Sequence, residues 1–319
     1  MYDLIIIGSG PAGLAASIYA SRYKLNHLVI GETPGGQGIL AGMIENYPGF
    51  NSITGSELMQ KFLEQAKSYE VTVKQEMVKE LMTEKEATGV TFAAQTESGK
   101  YQAKSLILAT GASYKSLGIR GEKEFIGKGV SFCTNCDAPF FKGKTVAVVG
   151  GGNSAVSGAL HVAEFADKVY LIHRRNEFRA EPYRIDKLGQ NPKIEQILET
   201  QITQIIGNTE TQKVEAVKLD KPYQGKEILP VDGVFIEIGQ VPSSALAAML
   251  GVSLDEKNYV RVNSAMETNV SGVFAAGDLS AAEGDLLLRQ VVTAVADGVR
   301  AAASAYEYVK KIPPAPSWS

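Results

Sequence analysis

One local design occurs twice in this 319-residue chain, and it constrains the fold more than anything else in the sequence. The run "YDLIIIG" leads into "GSGPAG" and then into "LAASIYASRYK". The run "KTVAVVG" leads into "GGNSA" and then into a second helical stretch. In each case a short apolar, β-branched segment of the kind buried in a parallel sheet runs into a glycine turn that opens a helix. Gly8, Gly10 and Gly13, with Pro11 and Ala12 between them, fit the G-x-G-x-x-G spacing. Gly150, Gly152 and Ala155, with Asn153 and Ser154 between them, fit G-x-G-x-x-A. The first glycine turns the chain, the second lets backbone approach a pyrophosphate, and the third lets helix pack on strand. The pyrophosphate rests on N–H groups at the helix N-terminus. Two such units imply two dinucleotides held by two domains.

The residues after the second strand of each unit tell the two nucleotides apart. A carboxylate there hydrogen-bonds a ribose 2′-hydroxyl, whereas arginine accommodates a 2′-phosphate. The second unit reads "HRRNEFRA", with His173 followed by Arg174, Arg175 and Arg179. Guanidinium forks pair with phosphate oxygens, so this site is expected to take NADPH rather than NADH. The first unit has Gly31 and then Glu32, so its acid is absent or displaced by one position.

The chain's two cysteines, Cys133 and Cys136, stand in "SFCTNCDAPF" with Asp137 directly after them. Two cysteines make no disulfide framework, and C-x-x-C without a secretory context reads as redox or metal chemistry. A closed zinc site needs four ligands, and the three histidines, His27, His161 and His173, are all distant in sequence. Two cysteines that merely pack in a core are the plain alternative.

With a net charge of −3, the chain shows no electrostatic footprint for nucleic acid or acidic membranes. The apolar N-terminus lacks a basic leader and is broken by Gly, Ser and Pro, and no run of about 18 apolar residues is present to span a bilayer. A cytoplasmic enzyme of about two domains is expected. Two further segments end strands on glycine turns: "SLILATGA" at Thr110–Gly111, and "TNVSGVFAAGDLS" at Gly277–Asp278. The latter is followed by the long helical pattern "RQVVTAVADGVRAAASAYEYV".

Together these motifs resemble the low-molecular-weight, bacterial-type thioredoxin reductases over Tyr2 to about Val309. The marks are "GSGPAG", "GGQ", "ENYPGF", "ATGA", the C-x-x-C-D segment, "GGGNSA", "HRRNEFRA", "VFAAGD" and "RQVVTA", in that order. The resemblance implies an α/β fold of the three-layer ββα type, with two Rossmann-like domains. A discontinuous FAD domain would span 1–115 and 243–319, and an inserted NADPH domain carrying the dithiol would span 116–242. It further implies a cytoplasmic homodimer acting on thioredoxin or a thioredoxin-like protein.

Site roles follow from the resemblance by position. Gly8, Gly10 and Gly13 would cradle the FAD pyrophosphate. Gln37, Asn46 and Thr110 would line the flavin, Val78 would lie near the adenine, and Glu32, Gly36 and Gly111 would belong to the same cofactor-binding set. Asp278, after the cofactor-binding turn at Gly277, would hold the ribityl or pyrophosphate region, and Arg289, Gln290 and Val291 would close over the isoalloxazine. Electrons would pass from NADPH through FAD to the Cys133–Cys136 disulfide and on to the partner. Cys136 would face the flavin as the charge-transfer thiolate, Cys133 would attack the partner's disulfide, and Asp137 would shuttle protons. One dithiol serving both flavin and partner makes domain motion an expectation.

The chain departs from the family at "CTNCDA" where "CATCDG" is usual, at Asn153 in place of aspartate, and at Ser157–Gly158 in place of two glutamates. These changes leave open another electron donor such as ferredoxin, another acceptor such as a peroxide-reducing system or oxygen, or a non-catalytic flavin redox sensor. The retained arginine cluster favours NADPH. The tail "KKIPPAPSWS" carries Pro313, Pro314 and Pro316, which favour a stiff extended rod. Trp318 at its tip is expected to stack on a flavin, with a loose terminus as the alternative.

Overall fold

The computed structural model describes the chain except for residues 42, 45, 87, 88, 209, 283, 285–287 and 312–319, and except for the side chains of a few further residues including Cys136. The chain divides into two units, one made of Met1–Ser113 with Val241–Ser319 and the other of Tyr114–Gln240.

The first unit is built on a seven-stranded sheet. Its parallel part contains β1 (Tyr2–Ile7), β2 (His27–Ile30), β5 (Val73–Lys74), β8 (Lys100–Leu108) and β20 (Val273–Ala275). β6 (Glu80–Glu86) and β7 (Gly89–Gln95) extend it in antiparallel fashion. Short pairs, β3 (Met43–Ile44) with β4 (Ile53–Thr54) and β19 (Val260–Val262) with β21 (Ser280–Ala282), lie outside this sheet. The helices are α1 (Pro11–Arg22), α2 (Gly55–Ser68), α6 (Ala245–Met249) and α7 (Val291–Lys310). Leu4, Ile5, Ile6, Leu28, Ile30, Leu106 and Phe274 are almost wholly withdrawn from water, so the central strands read as continuous apolar runs because both their faces are covered.

Register decides where the loops of this unit gather. Ile7 stands opposite both Ile30 and Leu108, and Leu108 stands opposite Ala275. The glycine turn after β1, Gly31–Glu32 after β2, Ala109–Gly111 after β8 and Ala276–Asp278 after β20 therefore emerge at one carboxyl end. Ligands of open parallel sheets bind at that end.

The second unit contains a five-stranded parallel sheet in the order β10 (Val130–Ser131), β17 (Gly233–Ile236), β11 (Thr145–Val149), β12 (Lys168–Ile172) and β13 (Ile194–Ile197). Helices α3 (Thr134–Asp137), α4 (Asn153–Phe165) and α5 (Pro182–Gln190) accompany it. An antiparallel sheet of β14 (Ile202–Asn208), β15 (Lys213–Tyr223) and β16 (Lys226–Pro230) completes the unit. Val149 stands opposite both Ile172 and Ile236, and Ser131 stands opposite Phe235. The glycine turn, His173, Glu237 and the Cys133 segment thus leave the sheet at its carboxyl end. The chain passes between the units twice, and the passing segments, β9 (Ala112–Tyr114) and β18 (Gln240–Pro242), pair with each other.

Candidate active site

In the first unit the glycines of the first turn have separable tasks. A Cβ at Gly13 would lie 1.9 Å from the carbonyl oxygen of Gly8, so only glycine lets α1 seat on β1. Gly8 has φ +112° and would put a Cβ 2.1 Å from the carbonyl oxygen of Ala109. Gly10 differs: its nearest neighbour would be 3.8 Å away, at Gly36. It is also the N-cap of α1, where no side chain caps the helix and Pro11 occupies the first turn. Space above Gly10 and uncapped N–H groups at α1 are what an incoming pyrophosphate requires.

The displaced acid has a steric cause. A Cβ at Gly31 would lie 2.4 Å from Ser9 Oγ, so no larger residue fits there and the carboxylate comes one position later, at the exposed Glu32. Ser9 is itself tied to the following loop, donating to the carbonyl of Thr33 at 3.0 Å and accepting the N–H of Gly35 at 2.7 Å. That loop carries Gly36 to Gly10 and places Gln37, whose amide donates to the carbonyl of Ala112. Asn46 donates to the Gln290 side chain at 2.8 Å, and Thr110 donates to the carbonyl of Ser243 at 2.8 Å. Val78 is buried in the core of the unit, and Val291 begins α7.

Asp278 follows Gly277, whose φ of +74° turns the chain at the end of β20. Burial raises the Asp278 carboxyl above the usual carboxylate range; Arg289 opposes the rise and Asp297 adds to it. The Arg289 guanidinium lies 4.1 Å from the centre of the Tyr259 ring and donates to the carbonyl of Asp278 at 2.6 Å. Its Nη2 is buried without a partner among the described residues. A buried, unpaired guanidinium nitrogen beside this crevice fits an acceptor-rich ligand such as FAD. Tyr259 has no signal in the sequence, because its role depends on a cross-loop contact with a residue 30 positions away.

In the second unit, Gly152 is the uncapped N-cap of α4, with nothing within 4 Å of its would-be Cβ. The ring of His173 fills the space against Gly151 and stacks on Phe178 with centroids 5.5 Å apart. Its pKa is lowered by burial first and then by Arg175, Arg179 and Arg174. The backbone N–H of Arg179 donates to the carbonyl of Gly151 at 2.7 Å, drawing the cluster onto the glycine turn. All three arginines are exposed, and among the described residues none is in an ion pair. Such a set is open to an anion.

Two departures of α4 have structural partners. Asn153 accepts the N–H of Glu181 at 2.8 Å, and Ser157 accepts from Arg184. These contacts brace the chain just beyond the arginine cluster.

The dithiol segment leaves β10 through a serine turn. Cys133 donates its N–H to Ser131 Oγ at 3.0 Å, and the Asp137 N–H donates to the Cys133 carbonyl at 3.2 Å. Cys133 is half-buried and disulfide-bonded, and Cys136 is the only other cysteine in the sequence. Asp137 is half-buried at the end of α3. The Cys136 side chain and Trp318 lie outside the described residues. Among the described residues there is no His, Cys, Asp and Glu cluster suited to a metal, and no helix long and apolar enough to cross a membrane.

Residues 2–298 match the sequence profile of the pyridine nucleotide-disulphide oxidoreductases. The chain belongs to that family. Within it, the chain is similar to the thioredoxin reductase of Listeria innocua, at 42% identity over 98% of this chain and 95% of the relative. It is also similar to that of Bacillus subtilis, at 42% identity over 98% and 96% respectively. The crystal structure of Lactococcus lactis thioredoxin reductase in its FR conformation superposes with a TM-score of 0.81 at 35% identity, covering 98% of this chain and all of the other.

Proposed function

We propose that the chain is an NADPH-dependent, FAD-containing thioredoxin reductase. In this reading it carries electrons from NADPH to the Cys133–Cys136 disulfide and from there to a disulfide in thioredoxin or a similar protein. The observation that carries the reading is the register of the second unit's sheet. It delivers the disulfide-bonded Cys133, the open Gly150–Gly152 turn and the His173–Arg179 cluster to one carboxyl end. Membership of an oxidoreductase family that acts on sulfur groups through FAD and NADPH agrees with it.

The first unit would hold FAD. Gly8, Gly10 and Gly13 would receive the pyrophosphate, Asp278 the ribityl or pyrophosphate region, Glu32 the ribose, and Arg289 and Gln290 the isoalloxazine edge. When bound, FAD supplies hydride acceptance from NADPH and two-electron delivery to a disulfide. The residues of this chain orient and ionise. The arginine cluster selects the 2′-phosphate, Cys133 attacks the partner's disulfide, and Asp137 takes up and returns the proton. We further assign the working form as a cytoplasmic homodimer, in keeping with the family resemblance.

Turnover with NADPH, NADH and a disulfide-bearing thioredoxin tests the reading. Thioredoxin reduction driven by NADPH supports it. Activity only with another donor or acceptor, or none with any, overturns it in favour of a different redox partner or a sensor.

A further inference from the structure

Three residues of the second unit that neither the thiol pair nor the glycine turn requires meet against the dithiol segment. Thr134, directly after Cys133, is buried. Its N–H and its hydroxyl both point to Glu237 Oε1, at 3.4 and 3.3 Å. Glu237 is the first residue past β17 and is held in register by donating its N–H to the carbonyl of Val149 at 2.8 Å. Gly158 of α4 completes the set. A Cβ there would come within 2.8 Å of Thr134 Cγ2 and 2.9 Å of its Oγ1, so any side chain at 158 would push Thr134 off the carboxyl. Position 158 is where the resemblance expects a glutamate. The acid missing from α4 has a counterpart at the end of β17, and the small residue on α4 makes room for the threonine that holds it.

We propose that Glu237, held by Thr134, is a positioning residue for the redox pair, which as a carboxylate opposes thiolate formation at the dithiol segment and so sets its disulfide–dithiol balance. This rests on the reading that Cys133–Cys136 is the redox couple. In reduction the S–S bond breaks, two electrons and two protons enter, and two thiols form, one of which then ionises. A negative charge held against the segment disfavours that ionisation, and protonation of the charge removes the opposition.

Burial pushes the Glu237 carboxyl up to about 6, against the downward pull of the two Thr134 hydrogen bonds, so the charge changes close to neutral pH. Apart from the cysteines themselves, the other ionisable groups on the surrounding elements are Asp137 on α3, His161 and its ion-pair partner Glu164 on α4, His173 against Gly151, and Arg184, which reaches Ser157. Strands β10, β11 and β17 contribute no ionisable side chain.

The test equilibrates the FAD-loaded full chain with mixtures of reduced and oxidised dithiothreitol, followed by acid quench, alkylation and mass counting of thiols. Glu237→Gln should favour the dithiol by about tenfold at pH 8, equivalent to ~30 mV for a two-electron couple. It should coincide with the native protein at pH 5, where the native carboxyl is protonated and Gln is its neutral counterpart. Thr134→Ala, which loses the hydroxyl bond, should move the onset of charge-dependent behaviour to higher pH, and it serves as the test if the Gln variant does not fold. An equal offset at both pH values, or no offset at either, overturns the proposal. Cys133→Ser should abolish the couple altogether. A two-electron thiol couple that survived this change would overturn the dithiol assignment rather than the role of Glu237.

Discussion

Arg179 donates its backbone N–H to the carbonyl of Gly151 at 2.7 Å, so the last arginine of the cluster is fastened to the glycine turn that opens α4. A phosphate group reaching beyond that turn meets three guanidinium groups that are in no ion pair among the described residues. The enzyme is expected to prefer NADPH to NADH by at least about tenfold, or ~1.4 kcal/mol. Arg175→Ala with Arg179→Ala should erase the preference in kcat/KM while the flavin content stays unchanged. Equal use of both nucleotides by the native protein contradicts the assignment.

The first glycine turn separates fold from ligand. Gly10→Ala meets nothing nearer than 3.8 Å within the protein, whereas Gly13→Ala drives a methyl group to 1.9 Å from a backbone oxygen. Gly10→Ala should therefore leave the melting temperature of the flavin-free protein nearly unchanged and lower its affinity for FAD. Gly13→Ala should destabilise the flavin-free protein by about 1–3 kcal/mol. Thermal melts of both stripped variants, followed by FAD titration, check this.

Asp278 carries a pH signature. Its carboxyl is raised by burial, so the native state holds that proton more tightly than the unfolded chain does. Stability from this group is present in acid and lost as pH rises through the folded-state pKa. Asp278→Asn should stabilise the flavin-free protein by about 1 kcal/mol at pH 8, with the difference closing towards pH 4. The same change should weaken FAD binding, measured by flavin release on dilution.

Much of this architecture was legible because glycine is demanded by space. Gly8, Gly13 and Gly150 stand where a Cβ would collide with backbone, and that requirement writes itself into the motif. The second strand ends were readable from the arginines after β12. Glu32 was harder, since the reason for its displacement is the contact between Gly31 and Ser9 across two loops. Glu237 is visible as the lone acid in "VFIEIG", but its partner Thr134 lies 103 positions earlier, and only the pairing of β10 with β17 brings the two together. The contact of Arg289 with Tyr259 has the same character: it belongs to tertiary structure and leaves no periodicity behind.

The cysteines divide the reaction. Cys133→Ser and Cys136→Ser should each abolish reduction of a protein disulfide, yet both variants should still consume one equivalent of NADPH in the absence of oxygen as the bound flavin is reduced. Stopped-flow absorbance of the two variants checks this, and loss of flavin reduction in either would show that the substitution damages more than the thiol relay.

The central claim, that electrons leave this chain through the Cys133–Cys136 pair to a protein disulfide, is tested most directly by a thiol count without oxygen. The native enzyme is mixed with limiting NADPH and excess oxidised thioredoxin, and the new thioredoxin thiols are alkylated and counted by mass. Two thiols for each NADPH oxidised, and none with Cys133→Ser, is the predicted result. NADPH oxidised without thioredoxin thiols, or thiols formed undiminished by the Cys133→Ser enzyme, would contradict it.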